Sequence, residues 1–127
     1  MRTIMVRFRS VVALMLIVFF GIACGPKTVT PKYLLDTPSR HVATGMKFID
    51  NEKWEAARLE FNRAAELDEA YAPAWVGLAL VEAHEGKFEA ADVLLNKAQG
   101  LYQTEDHRQF VVEGYRRVEA LKMKQGQ

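Results

Sequence analysis

Apolar residues recur three and four positions apart in two stretches of the chain. The two series are Trp54, Ala57, Phe61 and Ala64, and Phe88, Ala91, Leu95 and Ala98. This spacing places apolar side chains on one face of an α-helix. We therefore predict helices over 54–66 and 88–100, preceded by partner helices over 39–51 and 73–85.

A further apolar series follows Thr104, whose hydroxyl can cap the start of a helix. Its members are Phe110, Val111, Tyr115, Val118 and Leu121. Basic residues occupy positions between them, as expected for a helix with one apolar and one solvated face. We predict that 106–127 forms a carboxy-terminal capping helix.

The amino terminus has a different pattern. Residues 1–10 carry three arginines and no acidic residue, and the apolar run 11–20 is followed by Gly21, Ile22, Ala23 and Cys24. This order is typical of a signal peptide, which we predict at 1–23. A membrane-spanning helix needs about 20 apolar residues, and only 13 residues lie between Val11 and Ala23.

The end of this segment resembles a bacterial lipobox, in which a small residue precedes a cysteine that becomes lipidated. The resemblance implies acyl chains such as palmitate on Cys24, which would anchor the exported chain to a membrane of the cell envelope. Gly25 after the cysteine is associated with sorting to the outer membrane, facing the periplasm. The alternative is an ordinary buried or membrane-embedded Cys24.

Residues 24–37 are predicted to form a lipid-anchored tether. Pro26 and Pro31 disfavour helix and sheet and favour an extended chain. The apolar triplet 33–35 interrupts this composition, and we expect it to pack back on the first helix.

The chain matches itself when it is shifted by 34 residues. Seven residues of one 15-residue stretch have an identical counterpart 34 positions later: Lys53, Glu55, Ala56, Ala57, Asn62, Ala64 and Leu67. Repetition at this period indicates an internal duplication, with units at 38–71 and 72–105.

Both units resemble the tetratricopeptide repeat (TPR) family. The second unit carries Ala74, Trp75, Leu78, Ala79, Gly86, Phe88, Ala91, Leu95 and Ala98 of the family pattern, and the first retains Gly45, Phe48, Trp54, Ala57, Phe61 and Ala64. The resemblance implies an all-α helical-repeat array of two TPR helix pairs and a capping helix. Glu52 replaces the usual turn glycine, and Glu82 replaces a bulky residue.

In the TPR family, the first helix of each pair lines a concave groove that binds a peptide. Carried over by position, the groove residues here are Val42, Met46, Ile49, Asp50, Val76, Leu80, Ala83 and His84. This mostly apolar set suits the apolar face of an amphipathic helix. The alternative is that the tether or the carboxy-terminal helix fills the groove itself.

Charge and cysteine content narrow the function classes. Of 17 basic residues three belong to the signal peptide, so 14 basic and 16 acidic residues remain, a charge of about −2. Nucleic-acid binding requires a concentrated basic face, which this balance disfavours. The single cysteine excludes an intramolecular disulfide.

The chain shows no motif of a catalytic or metal site. Its three histidines and one cysteine lack the spacing of zinc ligands, and neither a phosphate-binding loop nor a nucleophile elbow is present. We therefore predict a lipid-anchored protein-protein interaction module, an adaptor or assembly factor without a cofactor. The alternatives are a structural homo-oligomer with a self-occupied groove, and a hydrolase or metal-binding protein that uses His84.

Overall fold

The computed structural model describes residues 36–101 and 104–126, and these form five helices without a strand. The helices are α1 (Pro38–Asp50), α2 (Trp54–Leu67), α3 (Ala72–His84), α4 (Phe88–Leu101) and α5 (Glu105–Gln125). The predicted all-α class is confirmed for this part of the chain. The predicted signal peptide, Cys24 and tether residues 24–35 lie outside the described residues.

Local signals in the sequence set the helix ends. The hydroxyl of Thr37 accepts a hydrogen bond from the backbone N–H of Arg40 at 3.4 Å. The hydroxyl of Thr104 accepts one from the backbone N–H of His107 at 3.1 Å. Pro38 occupies the first turn of α1, where no backbone N–H is required. These caps explain why α1 and α5 begin where they do.

The turns α1–α2 and α3–α4 have the same geometry, 34 residues apart. Lys53 N donates to Phe48 O at 2.8 Å, and Lys87 N donates to Glu82 O at 3.0 Å. Each turn contains one residue in the left-handed region, Glu52 at φ 58° and Gly86 at φ 77°. Glu52 thus adopts a conformation that costs little only for glycine.

Helix α3 lies at the centre of the fold and packs against each of the other four helices. Its buried residues are Ala72, Pro73, Ala74, Val76, Gly77, Leu78, Ala79, Leu80, Val81 and Ala83. They surround most of the helix, as expected for an element enclosed by neighbours. The hairpins α1–α2 and α3–α4 therefore share one core.

Small residues allow the helices to approach closely around two large side chains. A Cβ atom added at Gly45 would lie 2.6 Å from the ring of Phe61, and one at Gly77 would lie 2.3 Å from it. A Cβ atom at Gly114 would lie 3.0 Å from Leu95, the counterpart of Phe61 in the second hairpin. Phe61 and Leu95 are fully buried.

Helix α5 repeats the buried pattern of α1. Its buried residues are Val111, Gly114 and Val118, spaced three and four positions apart. The buried residues of α1 have the same spacing 69 positions earlier: Val42, Gly45 and Ile49. α5 packs on α3 and α4. Its buried face therefore has the spacing of the first helix of a third hairpin.

Ion pairs connect the hairpins at the surface. Arg58 of α2 forms ion pairs with Glu82 and Glu85. Its Nη2 atom lies 2.5 Å from the carboxylate of Glu85. The two carboxylates raise the pKa of Arg58 against the effect of partial burial. The acidic residue at position 82 therefore has a structural partner in the preceding hairpin.

Candidate functional site

A groove runs between α1 and α5, with α3 as its floor. We call it the α1–α5 groove. Its central residues are Val42, Met46, Ile49, Val76, Leu80, Phe110, Arg117 and Leu121. The two walls are separate helices without close backbone contact, and the space between them is the opening of the groove.

The groove contains two pockets. The first pocket, of about 490 Å³, is lined by Ser39, Val42, Ala43, Met46, Tyr71, Pro73, Thr104, Asp106, His107 and Phe110. The second pocket, of about 330 Å³, is lined by Ile49, Trp54, Leu80, Arg116, Arg117, Ala120, Leu121 and Lys124. Between them lies a constriction of about 30 Å³, where Met46 and Phe110 are among the lining residues.

Five of the eight groove positions carried over from the family line these pockets. They are Val42, Met46, Ile49, Val76 and Leu80. Val76 and Leu80 are only 1% and 2% exposed, so they form the floor and offer little surface. Met46 is half-buried and borders both the first pocket and the constriction.

The other three positions lie elsewhere. Asp50 is exposed and borders neither pocket, and Ala83 is fully buried in the core. The His84 ring stacks on Trp54 with centroids 3.7 Å apart and planes 9° from parallel. His84 therefore supports a side chain that lines the second pocket and does not enter the pocket itself.

The contribution of α5 was missing from the sequence-based site. Gly114 allows α5 to lie directly on α3, since an added Cβ atom would be 2.5 Å from Val76. This contact covers part of the floor and places Phe110, Arg117 and Leu121 along the opening. The signal for it was the spacing of Val111, Gly114 and Val118, described above.

The second pocket has an apolar interior and a basic rim. Arg116 pairs with Glu113, with Nε 2.7 Å from the carboxylate, and holds the pKa of Glu113 below its ordinary value. Arg117 and Lys124 form no ion pair with any residue of 36–101 or 104–126. Lys124 and Arg117 thus border this end of the groove without a salt bridge of their own, and Arg117 also helps to lower the pKa of Glu113.

The first pocket has a different polar edge. Asp106 and the hydroxyl-bearing Thr104 border it, and the edge of His107 meets Tyr71 with ring centroids 5.0 Å apart. The Nδ1 atom of His107 is buried and has no hydrogen-bond partner among the described residues. The charged side chains thus differ in sign between the two ends of the groove.

A cluster of charged residues lies where the tether meets α1. Asp36 Oδ2 is 2.6 Å from Arg63, Asp36 Oδ1 is 2.7 Å from His41 Nε2, and His41 Nδ1 is 2.6 Å from Glu60. Arg63 and then His41 lower the pKa of Asp36 to about 2. Burial opposes charge on His41, but the two carboxylates outweigh it and raise the pKa of His41.

The described residues contain neither a metal-binding cluster nor a membrane-spanning helix. No three His, Cys, Asp or Glu side chains among them converge as possible metal ligands. None of the five helices is long and apolar enough to cross a bilayer. His41, His84 and His107 lie in three separate surroundings: the Asp36 cluster, the Trp54 stack and the first pocket.

Comparison with known proteins gives no match. No family model matches the chain, and neither curated proteins nor solved structures show significant similarity to it.

Proposed function

We propose that this chain is a lipid-anchored TPR protein-protein interaction module, an adaptor or assembly factor of the bacterial cell envelope. The observation that carries the proposal is the α1–α5 groove, which presents two pockets with largely apolar walls on a helical frame. Apolar grooves of this kind bind the apolar face of a partner helix. The proposal includes no catalysis and no cofactor.

The TPR assignment is supported by structural repetition at the sequence period. The α1–α2 and α3–α4 turns repeat after 34 residues, as do the buried Phe61 and Leu95. Repeats of this kind bury a continuous core by stacking, and a terminal helix commonly closes the array. The position of α5 on α3 and α4 agrees with that role.

The anchoring part of the proposal rests on the sequence around Cys24. An acyl anchor there, followed by a proline-containing tether, would hold the groove near a membrane surface, and we propose the periplasmic face of the outer membrane. Several acyl chains bind a bilayer far more firmly than one.

A photocrosslinking experiment in cells tests the binding function. A photoreactive amino acid replaces Met46, which borders the first pocket and the constriction. The matched control carries it at Val93 on α4, which is 67% exposed and outside the groove. We expect position 46 to capture one heterologous envelope protein and position 93 to capture none.

The other outcomes separate the alternatives. An adduct between two copies, together with a dimer by light scattering, would support the structural homo-oligomer. An adduct to α5 within the same chain is expected, because Met46 and Phe110 line the same constriction. An adduct only to tether residues 24–37 of the same chain would mean that the tether fills the groove. Either result would overturn the adaptor proposal.

A further inference from the structure

The polarity of the α1–α5 groove restricts which helix it can bind. At the second pocket Arg117 and Lys124 form no ion pair with a described residue, Arg117 helps Arg116 to lower the pKa of Glu113, and Arg116 adds a third cation to the rim. The charged side chain that borders the first pocket is Asp106. Glu113, at the constriction, is already paired with Arg116. The groove therefore has one basic end and one acidic end.

The distance between the pockets restricts the apolar side chains of the partner. Pro73 of α3 borders the first pocket, and Leu80 borders the second. Seven residues of helix separate them, which corresponds to about 10 Å. Two side chains seven residues apart on a helix lie on the same face at the same distance.

We propose that the occupant of the groove is an amphipathic helix with large apolar side chains at positions i and i+7 and carboxylates at one end. The apolar side chains fill the two pockets. The carboxylates lie against Arg117 and Lys124, away from Asp106. This inference rests on the proposed peptide-binding function and specifies the chemistry of the partner.

Charge complementarity fixes the placement of such a helix. In the opposite placement its carboxylates would lie beside Asp106, and Arg117 and Lys124 would have no partner. Like charges brought together across an interface weaken binding, and charges of opposite sign steer the encounter and fix its register. A helix with lysines at its end would therefore bind more weakly.

The test uses the full chain in phosphatidylcholine nanodiscs, with empty nanodiscs as the blank. The probe is a fluorescent helical peptide of about 16 residues, with leucines seven residues apart and three glutamates at one end. The matched peptide has lysines in place of the glutamates. Fluorescence anisotropy is expected to give roughly tenfold tighter binding of the glutamate peptide.

Variants of the basic rim provide the decisive comparison. The variant Arg117→Glu/Lys124→Glu should prefer the lysine peptide. It should bind the glutamate peptide roughly tenfold more weakly than the unmodified chain does. The control Arg40→Glu/Lys47→Glu makes the same change of charge at exposed positions of α1 outside the groove and should keep the preference. Circular dichroism verifies folding, and Arg117→Gln/Lys124→Gln replaces the first variant if it unfolds.

Three outcomes would overturn the inference. If both peptides bind the unmodified chain equally, or if the two double variants weaken binding alike, the partner is not selected by its acidic end. If neither peptide binds, the proposal that a helix fills the two pockets with apolar side chains seven residues apart is wrong. Capture of a heterologous protein from position 46 would in each case leave the proposed function standing, because that assay does not depend on the peptide.

Discussion

Replacing Gly77 by alanine tests the packing on which the fold depends. The added Cβ atom would lie 2.3 Å from Cδ1 and Cε1 of Phe61, far inside van der Waals contact. The same ring edge approaches Gly45 on α1, where an added Cβ atom would be 2.6 Å away. The ring edge is thus enclosed by two helix backbones and cannot move freely to relieve the contact.

The expected effect follows from two opposing terms. Overpacking a well-packed core costs about 1–3 kcal/mol, and the confinement of Phe61 favours the upper end of that range. Alanine has a helix propensity better than that of glycine by about 1 kcal/mol. We therefore expect Gly77→Ala to lower the free energy of unfolding by about 2 kcal/mol.

The assay is urea unfolding of the fragment 31–127, which contains all five described helices, followed by circular dichroism. Gly100→Ala is the matched control, because no atom lies within 4 Å of its added Cβ atom, and it should leave stability unchanged or raise it. In a Phe61→Leu background, Gly77→Ala should cost much less. If Gly77→Ala and Gly100→Ala shifted the midpoint equally, the close approach of α1, α2 and α3 would be wrong.

Three further predictions concern the turn, the Asp36 cluster and the anchor. Glu52→Gly should stabilise the fragment by about 1 kcal/mol, because it relieves a left-handed conformation, and Gly86→Ala should destabilise it by a similar amount; urea midpoints measure both. Because the pKa of Asp36 is lowered, Asp36 should stabilise the fold above its ordinary pKa of 3.8, and this stabilisation should be lost as the pH falls towards 2. Because the pKa of His41 is raised, His41 should stabilise the fold fully below pH 6.5, and this stabilisation should be lost at higher pH. Asp36→Asn should remove the acidic part of this profile and His41→Gln the part above pH 6.5, as measured by urea midpoints across the pH range. Cys24→Ala should abolish incorporation of a palmitate analogue and release the chain from the membrane fraction; unchanged labelling would contradict lipidation.

The helices were predictable because their signals are local. The apolar spacing around Phe61 and Leu95 and the cap at Thr104 depend on neighbours within a few residues, and the predicted boundaries differ from the observed ones by at most two residues. Glu52 also stood out in the sequence, because it stands where the TPR pattern usually has a turn glycine. Its positive φ shows that the turn geometry is kept at the expense of local strain.

The role of α5 was harder to predict for a physical reason. Its buried residues repeat those of α1 after 69 positions, one more than two periods of 34, so a fixed shift misaligns them. Arg117 therefore appeared only as one basic residue of a capping helix. Its place at the second pocket depends on how α5 packs across α3. The sequence signal for that contact, the spacing of Val111, Gly114 and Val118, lies outside the 34-residue register.

The same helix that completes the core also builds the groove, and this couples stability to binding. Val118 is fully buried, whereas Arg117 beside it lies at the rim of the second pocket. Val118→Ala should lower the free energy of unfolding by about 2 kcal/mol and weaken peptide binding, because it loosens α5 on α3. Arg117→Gln should weaken binding without changing the urea midpoint. If Val118→Ala lowered stability and left peptide affinity intact, α5 would not form a wall of the binding site.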